Sequence, residues 1–142
     1  MQNAECRIGK PSPPHRFLHS AFCILHSAFN RTSMITTHVL DTSRGKPAPA
    51  VPVVLERQMA GGEWRVIGRG ETDADGRLKS LTSEVDPGIY RLTFDTGTYF
   101  RERHVENFYP EATIVFEVRD AAQHYHVPLL LSPFGYSTYR GS

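Results

Sequence analysis

Gly88-Ile89-Tyr90-Arg91-Leu92-Thr93-Phe94 and Thr113-Ile114-Val115-Phe116-Glu117-Val118 decide the fold class. Both runs are rich in β-branched and aromatic residues and alternate in part between apolar and polar, so each buries one face as a strand and leaves the other wet. Working outward, runs of the same kind lie at 35–40, 51–58, 64–71 and 125–131. Short strands at this spacing, separated by turn residues, are the pattern of a sandwich, in which each sheet needs a second sheet to cover it. Gly61-Gly62 reads as a hairpin, and Asp73-Ala74-Asp75-Gly76 and Asp86-Pro87-Gly88 as turns. A short helix fits only over 98–105, which lacks Pro and Gly and carries a modest stripe of Tyr99, Phe100 and Val105. The expectation is an all-β protein.

The chain has 142 residues, enough for one core and not for two. Sixteen basic side chains against fifteen acidic ones leave a net charge of +1, too weak a field to gather nucleic acid or an acidic membrane surface. No run approaches the ~20 apolar residues of a membrane-spanning helix. The first 33 residues differ from the rest. Leu18-His19-Ser20-Ala21-Phe22 recurs as Leu25-His26-Ser27-Ala28-Phe29 after a Pro-rich stretch, and a lone repeat of that length builds no solenoid. Cys6 and Cys23 both lie there, so the core over 34–142 depends on no disulfide. His19, Ser20, His26 and Ser27 interrupt the apolar run that a secretory signal would need. Residues 1–33 are therefore read as a dispensable extension, either a disordered tail or an upstream start with Met34 as the natural one. The expected compartment is the cytoplasm, with periplasm and peroxisome as alternatives.

Several groups could carry chemistry. Two carboxylates before a glycine, Asp73 and Asp75 before Gly76, open like a calcium loop, but Arg77 occupies the fifth position, where Asp or Asn belongs. The better reading is a turn that aims Arg77, whose planar guanidinium suits carboxylate-like or urea-like oxygens. His124 and His126 sit two apart and would share a strand face, half of a zinc site with His38 or His104 as third ligand. A core without cysteine and without an H-E-x-x-H motif argues against zinc. On residue type alone, His126 reads equally as a structural histidine, and 136–142 as a polar tail.

Two segments change those readings. His38-Val39-Leu40-Asp41-Thr42-Ser43-Arg44-Gly45-Lys46-Pro47-Ala48-Pro49-Ala50-Val51-Pro52-Val53 and Tyr125-His126-Val127-Pro128-Leu129-Leu130-Leu131-Ser132-Pro133-Phe134-Gly135-Tyr136-Ser137 resemble the signature segments of the transthyretin superfamily, in the right order and separation. The resemblance covers essentially all of 34–142 and none of the head. It implies a sandwich of two four-stranded sheets with one short helix, assembled as a dimer of dimers (a homotetramer) with its sites in a central channel. The superfamily carries two main functions, hormone carriage and hydrolysis of 5-hydroxyisourate in urate breakdown. The hydrolases resemble this chain in four features: histidine at the place of His38 where carriers have lysine, arginine after a turn as at Arg77, histidine as at His126, and an ending like Tyr139-Arg140-Gly141-Ser142.

The resemblance thus implies a cyclic-amide hydrolase that needs no metal or cofactor, with 5-hydroxyisourate as its small-molecule partner. Water attacks the C6 carbonyl, a histidine positions and deprotonates it, and the departing ring nitrogen is protonated. His38, Arg77, His126 and Ser142 are the expected catalytic residues, and His38, Arg77, Tyr139 and Arg140 the expected substrate contacts. The choice of base between His38 and His126 stays open, and Ser142 could pass the proton to the leaving nitrogen. His104 and His124 are left out of the mechanism. The alternative function is a carrier that holds a small aromatic ligand in the channel without turning it over.

Overall fold

In the computed structural model, which describes residues 34–142, ten strands and one helix follow in order. They are β1 (Ile35–Asp41), β2 (Lys46–Pro47), β3 (Pro52–Gln58), β4 (Trp64–Glu71), β5 (Arg77–Leu78), β6 (Gly88–Phe94), α1 (Thr96–Arg101), β7 (Ala112–Val118), β8 (Tyr125–His126), β9 (Leu129–Ser132) and β10 (Gly135–Thr138). The reading of residues 1–33 as a dispensable extension falls outside the described residues.

One sheet is antiparallel throughout, in the order β4-β3-β6-β7. The other follows the path β10-β9-β1-β2, with β8 and β5 also paired to β1. Its six pieces make a sheet four strands wide, because β8 and β9 run end to end along one edge of β1 and β5 and β2 share the other. The two-sheet sandwich with one short helix is therefore present. The run read as one strand over 125–131 is cut in two at Pro128, which has no N–H to give the ladder.

Strict alternation places the core. β1 buries Ile35, Thr37, Val39 and Asp41 and sends Thr36, His38 and Leu40 outward, while β6 buries Tyr90, Leu92 and Phe94. Fully burying each apolar side chain of this kind contributes about 1.5–3 kcal/mol, and a one-residue slip would forfeit the whole set.

The helix differs from the expectation of 98–105: it begins two residues earlier, through Gly97, and stops at Arg101. Asp95 starts it, accepting from Thr98 N–H at 2.8 Å and from Thr98 Oγ1 at 2.8 Å. Gly97 suits this place because an added Cβ would stand 3.0 Å from the Pro110 carbonyl oxygen. His104, in the left-handed region at φ 56°, closes the other end: its N–H donates to Arg101 O at 3.1 Å and Val105 N–H to Phe100 O at 3.0 Å. Val105 is thereby exposed rather than part of a helical stripe, and His104 has a structural role.

Candidate active site

The register of β1 gathers the polar groups. Thr36 pairs with His126 across the parallel β1–β8 ladder, and His38 pairs with Arg77 across the antiparallel β1–β5 ladder. Partners in a ladder stand on the same face, and Thr36 and His38 are two residues apart on one strand, so all four side chains leave the outer face of this sheet. Beside them lies an open cavity of about 400 Å³, lined among others by Thr36, Arg77, Lys79, His124, His126 and Ser142. That volume is within the ~300–1,000 Å³ usual for small-molecule sites.

Arg77 is aimed by the turn before it. Asp73 Oδ1 accepts from Asp75 N–H and Arg77 N–H, both at 2.9 Å, and Gly76 N–H closes the turn onto Asp73 O at 2.9 Å. These bonds, that from Arg77 foremost, hold the Asp73 carboxyl below its ordinary range. The carboxylate is thus engaged by the backbone as a turn cap, which is why the calcium-like spacing is a turn. Gly76 takes a left-handed φ of 70°, and a side chain there would run into the Val39 carbonyl. Among the described residues, the Arg77 guanidinium makes no ion pair or hydrogen bond, so its donors are available to a ligand.

His126 is held at two points. Its Nδ1 lies 2.9 Å from Thr36 Oγ1, and its carbonyl accepts from Gly141 N–H at 2.9 Å. Nε2 takes part in no hydrogen bond among the described residues, and it is not a buried orphan. Burial lowers the His126 pKa below the ordinary histidine value, reinforced by the charges of His124, His38 and Arg77 and opposed by hydrogen bonding to the Thr36 backbone. The imidazole is therefore neutral at pH 7. Gly141 passes so close to the ring that an added Cβ would overlap His126 Cδ2. This close approach carries the chain end past the ring and sets Ser142 in the cavity. His38, expected in the site, shares this face through its pairing with Arg77 but does not line the cavity, and its Nε2 is buried and without a hydrogen-bond partner.

Tyr139 and Arg140 are not in that cavity. They line a second, smaller cleft of about 260 Å³ that shares His126, with Phe116, Tyr125 and Val127 among its walls. Arg140 lies over the Tyr125 ring at 5.5 Å and donates to Gln123 Oε1 at 3.0 Å. His124 and His126 do share a face, with ring centroids 6.2 Å apart, but the Thr36 hydroxyl bridges them and neither His38 nor His104 joins as a third ligand. Among the described residues no group of three or more His, Cys, Asp or Glu could hold a metal ion. Nor is any helix long and apolar enough to cross a membrane among them. Two contributors escaped sequence reasoning: Thr36 and Lys79. Thr36 could have been found only by pairing 36 with 126.

The HIUase/Transthyretin family model matches residues 35–141. A 5-hydroxyisourate hydrolase of Salmonella typhi is 48% identical over 113 residues, covering 78% of this chain and 82% of the relative. Among solved structures, the 5-hydroxyisourate hydrolase of Klebsiella pneumoniae superposes with a TM-score of 0.70 at 36% identity, covering 78% of this chain and 99% of that one. The transthyretin of Sparus aurata superposes with a TM-score of 0.72 at 34% identity, over 75% and 95% respectively. With the match spanning both sheets, the helix and the chain end that docks on His126, this chain belongs to the HIUase/Transthyretin family.

Proposed function

We propose that this chain hydrolyses 5-hydroxyisourate to 2-oxo-4-hydroxy-4-carboxy-5-ureidoimidazoline in urate breakdown. The observation that carries the reading is one cavity in which a neutral, anchored His126 with an open Nε2 stands with an unpaired Arg77. His126 Nε2 takes a proton from water as the oxygen attacks the C6 carbonyl. Arg77 holds the urea-like edge and stabilises the oxyanion. As the bond from C6 to the ring nitrogen breaks, the proton returns from His126 to that nitrogen, with the Ser142 hydroxyl as relay. Acid–base help of this kind is worth about 10²–10⁴-fold in rate. His38 Nε2, buried and unpaired, is available for a substrate hydrogen bond, and leaving such an atom unmet costs about 1–3 kcal/mol.

Assembly as a dimer of dimers would place a second copy over this outer face and close the cavity. Tyr139 and Arg140, outside the cavity within one chain, would then act from its wall or across that contact. Support comes from the openness of the cavity and the exposure of Arg77. The test is the ultraviolet decay of freshly generated 5-hydroxyisourate with and without protein. Accelerated decay that His126→Ala and Arg77→Gln abolish supports the hydrolase. Decay at the spontaneous rate in the presence of folded tetramer refutes it and favours ligand carriage.

A further inference from the structure

The Thr36 hydroxyl carries one proton and faces two imidazoles. His124 Nε2 lies 2.8 Å from its oxygen and His126 Nδ1 lies 2.9 Å from the same atom. A hydroxyl donates once and accepts up to twice, so at least one of the two rings must donate to it. If His124 Nε2 accepts the hydroxyl proton, His126 Nδ1 must carry a hydrogen and give it to Thr36. If both rings donate, the result for His126 is the same. Only if Thr36 donates to His126 does the proton of the neutral ring sit on Nε2, facing the cavity.

We propose that Thr36, backed by His124, is a positioning pair that fixes the tautomer of His126, with Nδ1–H bonded to Thr36 and Nε2 left as a lone pair toward the substrate. The inference rests on the hydrolase reading and goes beyond it, because it says which nitrogen is the base and what makes it so. Geometry supports it from three sides. Thr36 is the ladder partner of His126, so the bond is built into the sheet register. Gly141 N–H holds the His126 carbonyl and the Gly141 backbone packs against the ring edge, so the imidazole has little freedom to turn the other nitrogen to Thr36. His124 is exposed, so its Nδ1 can bear its hydrogen to solvent while Nε2 accepts. The charged and titratable groups near His126, namely His38, His124 and Arg77, disfavour an imidazolium, and the choice is then between two neutral forms. In hydrolases of other folds a third group orients the catalytic imidazole, and loss of the correct tautomer costs rate without loss of fold.

Long-range proton–nitrogen correlation spectra of the nitrogen-15-labelled full chain read the tautomer directly, with His126→Ala and His124→Leu supplying assignments. The expected wild-type spectrum at neutral pH has His126 Nδ1 protonated and Nε2 bare. Thr36→Val keeps the branched shape and removes the hydroxyl. It should populate the Nε2–H form and lower kcat by about 10²-fold with KM little changed, while Thr36→Ser restores both spectrum and rate. His124→Leu should give a mixture of tautomers and a smaller loss, and decides the matter if Thr36→Val does not fold. A wild-type His126 with Nε2–H, or an unchanged tautomer in Thr36→Val or in His124→Leu, overturns the proposal. Failure of the hydrolase reading shows separately, as wild-type protein that leaves substrate decay at its spontaneous rate whatever the spectrum.

Discussion

Substituting Gly141 by Ala should disable the site while sparing the fold. The φ angle of Gly141 is outside the left-handed region, so an alanine is opposed only by what its methyl touches. That methyl would overlap His126 Cδ2 and stand 3.1 Å and 3.2 Å from Cγ and Cβ of the same side chain. Forcing it in costs about 1–3 kcal/mol, as overpacking does. Letting the chain end lift away loses one backbone bond, Gly141 N–H to His126 O at 2.9 Å, worth about 0.5–1.5 kcal/mol. Release is the cheaper response. β10 stays docked through its ladder with β9 and through the bond from Thr138 Oγ1 to Pro128 O at 2.7 Å. The methyl therefore removes Ser142 from the cavity and frees the ring edge, without touching the core. A displacement of that size is worth about 10²-fold in rate, and the midpoint of thermal unfolding should fall by no more than about 4–8 °C. The assay is the decay of 5-hydroxyisourate beside a thermal melt. If Ser142 and the docked chain end act as one unit, Gly141→Ala and Ser142→Ala combined should lose little more than the first alone. Wild-type turnover in Gly141→Ala, or full additivity of the two losses, refutes the reasoning.

The His126 pKa is lowered, so its neutral form persists below the ordinary value of 6.5. The acidic limb of kcat/KM should therefore fall below pH 6.5, and a limb at or above that value contradicts the assignment. For stability the sign is the same: the His126 contribution is present above the unfolded pKa and is lost as pH falls through the lower folded one, which melts between pH 7 and 5 would follow. Arg77→Gln should leave the melt unchanged, because the guanidinium makes no ion pair, while kcat/KM falls by about 10²-fold or more. Asp41→Ala should act the other way. It removes the partner of the buried Tyr99 hydroxyl, now bonded to Asp41 Oδ2 at 2.9 Å, and frees Ser43 N–H and Oγ to solvent, at a cost of about 1–3 kcal/mol seen in denaturant unfolding. A chain beginning at Met34 is expected to turn over substrate at the full rate, measured in the same decay assay.

The longer strands were legible because their signals lie within the run itself or at its flanking turns. The runs read at 64–71 and 88–94 coincide with β4 and β6, whose alternation or turn boundaries are local. β2 and β5 have no such signal, since two residues apiece are strands only because β1 offers them an edge. β10 escaped for a related reason: 136–142 reads as a polar tail, and the ladder of Gly135–Thr138 with β9 makes its first part a strand. The helix starts before 98–105 because Asp95 caps it and Gly97 lies inside it, and the close approach of Pro110 that favours glycine there is a tertiary fact that no local pattern carries.

The candidate site shows the same division. His38, Arg77, His126 and Ser142 announce themselves by residue type and by resemblance. Thr36 does not, because threonine on a strand is ordinary and its hydroxyl acquires meaning only beside position 126. β1 does most of the assembling: with an antiparallel neighbour on one edge and a parallel one on the other, two outward residues two apart collect an arginine from one side and a histidine from the other. Register is therefore the property on which the chemistry depends. A slip of β1 by one residue would bury Thr36 and His38 and expose Ile35, Thr37 and Val39, so the apolar core that stabilises the sandwich is also what keeps the imidazoles and the guanidinium on one face.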